Sequence, residues 1–166
     1  MKALSLVNDV GVDPAYLANL ILDLEAVFDR HHLVAAIYGH AGSGNLHHEN
    51  RRPRAAVARL AIYGHAGSGN LHLRPLFDVT TSDLPALLIR VADEVYGAVL
   101  RYDGTITAEH GMGHLRMPYL AQEWSEAILG YMRRVKEVFD PDDLLNPDVI
   151  FSARALTDDL RPIAYQ

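Results

Sequence analysis

The sequence predicts an α+β fold, and three observations carry that expectation. Three segments repeat apolar residues at helical spacing, short glycine-terminated stretches that suit extended chain separate them, and the order along the chain is strand, helix, strand, helix, strand, helix. The glycine-rich strands read as one-sided. That favours a ferredoxin-like split βαβ arrangement, a mostly antiparallel sheet covered by helices on one face. A chain of 166 residues suits about one domain.

The first strand is "ALSLVNDV", ending in a turn at Gly11. "DPAYLANLILDLEAVFDRHH" follows as a helix: Asp13 can accept from the free amides of the first turn, and Pro14 suits the first helical position. Leu17, Leu20, Ile21, Leu24, Val27 and Phe28 fall on one stripe. "LVAAIYG" is the next strand. Residues His48–Arg59 are basic, contain Pro53 and read as a solvated linker, after which "LHLRPLFDV" is strand or extended chain. Ser82 and Pro85 open a second helix with Leu84, Leu87, Leu88, Val91, Val95 and Val99 in register, and "YDG" ends it, with Gly104 as the left-handed cap. "TITAEHG" reads as a strand ending in glycine. A third helix runs from Ser125 to about Phe139 with Ile128, Met132, Val135 and Phe139 on one face; "DPDDLLNP" closes it, and the tail after Ala155 reads as solvated loop.

Composition narrows the function classes. The net charge of −6 argues against a nucleic-acid surface. No apolar run approaches the ~20 residues of a membrane span, and "MKALSLVNDV" lacks the features of a secretory signal. The expected setting is therefore cytoplasmic. Cysteine is absent, so this chain forms no disulfide, ligates no iron–sulfur cluster and uses no thiol nucleophile. Nine histidines cluster mostly in glycine-rich stretches, and function is to be sought there.

The segment "AIYGHAGSGNLH" occurs twice, at Ala36–His47 and at Ala61–His72, letter for letter. In the second copy His65 and His72 stand seven residues apart around Gly67-Ser68-Gly69. A straight strand would send them to opposite faces, but glycines with positive φ let the chain fold back and bring the rings together. Two neutral imidazoles are a start for Zn²⁺ or a similar ion, which wants at least three protein ligands; the plainer alternative is a glycine-rich turn with exposed histidines. "AEHGMG" adds Glu109 as an oxygen ligand and His110 as a titratable base near neutral pH, with Gly111 and Gly113 permitting the bend that serves one pocket. Histidine, histidine and glutamate make a facial set with open positions, able to hold a bidentate hydroxy acid and acidify its hydroxyl. "GSG" lacks the lysine of a P-loop, and Ser68 lacks the context of a nucleophile elbow.

"YGHAGSGNLHLRP", "TITAEHGMG" and "KEVFDPDDLLNP", in that order, resemble the C-terminal cap domain of FAD-linked oxidases of the vanillyl-alcohol-oxidase type, a group that includes D-lactate, D-2-hydroxyglutarate and glycolate dehydrogenases. The opening "VNDVGVDPAYLANLILDLEAVFDRHHL" resembles the strand and helix ahead of the histidine motif there. The resemblance implies that His65, His72 and Glu109 hold a divalent metal, Zn or Mn, that grips the substrate. It implies that His110 takes the hydroxyl proton while hydride passes from Cα to flavin, and that Asn146 lies against the flavin. Ser68 stands where an aspartate is usual, Asp143 replaces a glycine, and "NPDV" replaces the usual "NPGK".

Family members carry an FAD-binding domain ahead of this cap. The expectation is therefore a partial cap domain over 1–155, a tandem-duplicated insert at 48–72 and a tail at 156–166. FAD would come from a partner domain or subunit, the substrate would be a small 2-hydroxy acid, and the chain would be inactive alone. The copies are expected to compete for one slot in the sheet beside the Glu109 strand; copy two is favoured because its continuation into the second helix needs no long crossing, and copy one is then an edge strand, or His40 and His47 form a second, incomplete site. Two other readings stand beside this one: a non-catalytic dimerisation or assembly piece forming a homo-oligomer through its helix faces, and a free-standing metallohydrolase.

Overall fold

The computed structural model describes residues 2–4, 6–41, 44–48, 58–63, 65–151, 153–158 and 160; for 2–3, 34–41, 44–48, 58–63 and 66 it describes the backbone alone. Residues up to His110 form one compact unit and Gly111–Arg161 a second.

In the first unit the chain runs through β1 (Lys2–Ala3), β2 (Val10–Gly11), a 3-10 turn (Pro14–Tyr16) and α1 (Leu17–Arg30), then β3 (Leu33–Ala41) and β4 (Gly44–His48). It continues with β5 (Ala58–Tyr63), a 3-10 turn (Ala66–Ser68), β6 (Asn70–Arg74), β7 (Leu76–Phe77) and α2 (Leu84–Leu100). β1 and β7 make a small antiparallel ribbon, and five strands join in the order β2-β6-β5-β3-β4. β2–β6, β6–β5 and β3–β4 are antiparallel. β3 and β5 are parallel. The architecture is α+β with a mostly antiparallel sheet.

The repeat governs the middle of this sheet. Across the parallel pair each residue faces its own counterpart, Ala36 opposite Ala61 and Ile37 opposite Ile62. Each copy also turns back antiparallel in the same register, Tyr38 opposite His47 in one and Tyr63 opposite His72 in the other. Copy two lies next to β2, and copy one extends the sheet so that β4 is its outer strand.

The helical stripes become the core. Leu17, Leu20, Leu24, Val27 and Phe28 of α1 are buried, as are Leu88, Val91, Val95 and Val99 of α2, and the two helices pack together. Ile21, Leu84 and Leu87 are half-buried at the edges of these stripes. Full burial of such a side chain stabilises by roughly 1.5–3 kcal/mol, so these two stripes contribute substantially to the cohesion of the unit. Ala15 N–H donates to Asp13 at 2.8 Å, capping the turn that leads into α1. The Tyr96 hydroxyl donates to the Leu6 carbonyl at 3.1 Å, tying α2 to the segment before β2.

Several local expectations need correction. "ALSLVNDV" is not one strand, and Gly11 is not its turn: Gly11 lies within β2, while Asp9 takes the left-handed conformation at φ 74°. α2 ends with Asp103 at φ 51°, not Gly104, as the left-handed residue. The Gly104 amide donates to Val99 O and that of Asp103 to Leu100 O, the paired bonds of a Schellman motif. Gly104 is needed for another reason, since a Cβ there would sit 2.5 Å from Gly11 O. "TITAEHG" is no strand either: Thr105 bridges Gly11, and the chain then bends through Glu109 and His110.

The second unit contains α3 (Gly113–Arg116), a 3-10 turn (Met117–Tyr119), α4 (Leu120–Glu123) and α5 (Glu126–Phe139). The Ser125 hydroxyl accepts from the Ile128 amide and caps α5. Leu129 is buried, but Ile128, Val135 and Phe139 of the expected apolar face are exposed, and Met132 is half-buried. Beyond α5 the Asp140 carboxylate accepts from the Leu144 and Leu145 amides, each at 2.9 Å. Asp143, Asn146 and Asp148 then take φ of 49°, 50° and 58°. The tail is not wholly solvated loop. Leu156 is buried, and Ala155 N–H donates to Asp158 at 2.8 Å in the turn that holds it.

Candidate functional site

The site grows from β2 outward. The Val12 amide donates to Gly69 O at 3.0 Å, and a Cβ on Gly69 would lie 1.7 Å from Val12 O. Only glycine, at φ 71°, lets copy two approach β2 this closely. Within the preceding turn the amides of Ser68 and Asn70 and the Ser68 hydroxyl all donate to the His65 carbonyl, at 2.9, 3.2 and 3.2 Å. His65 is thereby pinned at the start of the turn, and His72 follows on β6 as a buried side chain.

The opposite wall is residues 105–110. Gly11 and Thr105 exchange backbone bonds of 2.9 and 2.7 Å, and the Ala108 amide donates to Asp9 O at 3.3 Å. The Asp9 side chain, fully buried, accepts from the Glu109 amide at 2.9 and 3.1 Å and from the His110 amide at 2.7 Å. These bonds replace the strand pairing expected for "TITAEHG" and turn the Glu109 and His110 side chains toward the histidines.

Glu109 Oε1 lies 2.9 Å from His72 Nε2, 3.6 Å from His110 Nε2 and 3.7 Å from His65 Nε2. The His72 and His110 rings stack with centroids 4.7 Å apart, and His65 meets His72 edge-on at 5.9 Å. The Asn8 amide nitrogen is 3.4 Å from His110 Nδ1. An ion about 2.0–2.2 Å from each ligand would separate neighbouring donors by about 2.9–3.6 Å; the His72 and His110 nitrogens stand within that range of Glu109 Oε1, and His65 at 3.7 Å stands just beyond it. Asp9, His72, Glu109 and His110 each offer a donor atom within 4.8 Å of the others. Burial, and then the neighbouring His110, hold the His72 pKa below its ordinary value, against the opposing pull of Asp9 and Glu109. His72 is therefore neutral at pH 7, the form that ligates.

The structure thus brings His65, His72, Glu109 and His110 together. Asn146 belongs to the second unit, in the left-handed turn after α5. The residue that sequence reasoning missed is Asp9. Its signal was an acid set between Val7 and Val10 in an otherwise apolar stretch, a pattern that demands buried donors.

An α+β unit that gathers imidazoles and a carboxylate on glycine turns defines a class, and comparison with known sequences gives it a family. The pattern of the family described as FAD linked oxidases, C-terminal domain, matches residues 1–50 and 48–150, and the chain belongs to that family. It is similar to a D-2-hydroxyglutarate dehydrogenase of Stutzerimonas stutzeri, 40% identical over 88% of this chain and 27% of the relative. It is likewise similar to the glycolate oxidase subunit GlcD of Bacillus subtilis, 33% identical over 93% of this chain and 28% of the relative. A mitochondrial D-lactate dehydrogenase [cytochrome] of Arabidopsis thaliana is 36% identical over 86% of this chain and 21% of the relative. The chain therefore spans between a fifth and under a third of the length of these relatives. Among the described residues no helix is long and apolar enough to cross a membrane.

Proposed function

We propose that this chain is the metal- and substrate-binding cap module of an FAD-dependent 2-hydroxy-acid dehydrogenase. The observation that carries the reading is the convergence of three imidazole Nε2 atoms on one carboxylate oxygen of Glu109. His65, His72 and Glu109 hold a divalent cation, Zn²⁺ or Mn²⁺, and the substrate class, a small 2-hydroxy acid, follows from the dehydrogenases and oxidase the chain is similar to. FAD, when bound, supplies the acceptor for the Cα hydride, and it is held by a domain or subunit outside these residues. His110 accepts the hydroxyl proton. Asn146 is the flavin-side residue of the second unit.

On this reading residues 1–155 are a cap domain of ferredoxin-like split βαβ type working in the cytoplasm, 48–72 are a duplicated insert, and 156–166 are a tail. The exposed apolar residues of α5 favour a second reading, a non-catalytic assembly or dimerisation piece.

Calorimetric titration of the purified chain with Zn²⁺ separates the two. One equivalent should bind, and Glu109→Gln should weaken binding at least about 100-fold, the upper end of what loss of an outer-shell partner costs. Equal affinity in the variant overturns the ligand assignment. A chain that self-associates and takes up no ion supports the assembly reading instead.

A further inference from the structure

Resting on that metal-site reading, we infer that Asp9 is the site's positioning residue. Its carboxylate braces the Glu109–His110 backbone and backs His72, without itself ligating the ion. Asp9 stands left-handed at φ 74° and is fully buried, and burial is a cost a carboxylate does not bear without compensation. The compensation is visible: the carboxylate accepts from the amides of Glu109 and His110, and the Asp9 carbonyl accepts from Ala108. One residue thus grips three successive amides of the segment that carries both the acid ligand and the base.

The same carboxylate faces His72 from behind. Asp9 Oδ1 is 3.9 Å from Nδ1, whereas Glu109 Oε1 is 2.9 Å from Nε2. The two ring nitrogens point away from each other, so an ion held between Nε2 and Glu109 lies across the ring from Asp9. At 3.9 Å the Asp9 carboxylate is beyond hydrogen-bond reach of Nδ1, so it acts on the ring through its charge, from the side away from Nε2. The negative charge favours the tautomer with its proton on Nδ1, which leaves Nε2 free to donate to the cation.

The test compares the full chain with Asp9→Asn, a change of charge at almost constant shape. In Zn²⁺ titrations the variant should bind about 10–100-fold more weakly. With Co²⁺ at saturation its visible bands should keep their positions, because the ligand set is unchanged. Without metal, the amide proton resonances of Glu109 and His110 should move upfield and exchange faster. A merely structural role would lower stability toward urea and leave the Zn²⁺ affinity of the folded variant alone; unchanged affinity overturns the inference. Shifted Co²⁺ bands overturn it too, since they would make Asp9 a ligand.

Should the wild type bind no ion, the metal-site reading fails, and the amide resonances of the metal-free protein alone decide the brace. Should Asp9→Asn not fold, hydrogen exchange in the wild type decides. The Glu109 and His110 amides should then be the slowest of residues 107–113, and exchange as fast as at Gly111 overturns the brace.

Discussion

Copy one and copy two of "AIYGHAGSGNLH" are identical in sequence and part ways in structure. Both pair tyrosine with the second histidine in the same antiparallel register. Toward the turn they diverge. In copy one the ladder continues, with His40 opposite Asn45 and Ala41 opposite Gly44. In copy two β5 ends at Tyr63, a 3-10 turn intervenes, and Asn70 pairs with Gly11 of β2 instead. Local propensity cannot separate identical letters, so the difference comes from what each copy meets. Val12, just after β2, captures Gly69 through its amide, and the chain of copy two leaves the hairpin to pair Asn70 with Gly11. The lesson is that β2 and the 105–110 segment, rather than the letters of the motif, set the conformation of copy two.

The sharpest way to break this comparison is to remove the second histidine from one copy at a time. His72→Ala should weaken Zn²⁺ binding at least about 100-fold, beyond the cost of losing an outer-shell contact, while His47→Ala should leave it unchanged. Calorimetry that instead finds two sites of equal affinity in the parent chain, each removed by its own substitution, would make the copies equivalent.

A smaller effect separates the equivalent glycines. Gly69→Ala forces a side chain into a left-handed residue against Val12 O and should cost about 2 kcal/mol or more, read from urea midpoints. Gly44→Ala, at the start of an outer strand, should cost less than about 1 kcal/mol. Equal losses would mean that the two turns carry the same strain.

The least change is expected from deleting residues 37–61, which leaves a single copy joined in frame. The chain that remains keeps β2, the glycine turn and the 105–110 segment. Its Zn²⁺ affinity should match the parent's within about threefold, under 1 kcal/mol on the scale where tenfold is 1.4 kcal/mol. Loss of binding would show that copy one does more than extend the sheet.

Much of this was legible in the residues themselves. The stripes of α1 and α2 announced their buried faces, and Gly69, Gly111 and Gly113 do adopt positive φ. What escaped was non-local. "TITAEHG" has the composition of a strand, but its amides are taken by a carboxylate some hundred residues earlier in the chain. Asp103 displaced Gly104 at the end of α2 because Gly104 was needed for its approach to Gly11. The departures at Asp143 and in "NPDV" find a local account: Asp143 and Asp148 stand left-handed where glycine is usual, and aspartate is among the few residues that tolerate it. Nothing in the structure explains Ser68 in place of aspartate beyond its bond to the His65 carbonyl.

The short strand Val10–Gly11 has a kinetic consequence. It joins Asn70 and Leu71 on one side and Thr105 on the other, so partners some sixty and ninety-five positions along the polypeptide must be found before the donors face one another. Closing loops of that size is slow compared with winding the helices. During refolding with Zn²⁺ present, uptake of the ion at the proposed site should therefore come late, while circular dichroism recovers first as α1 and α2 form.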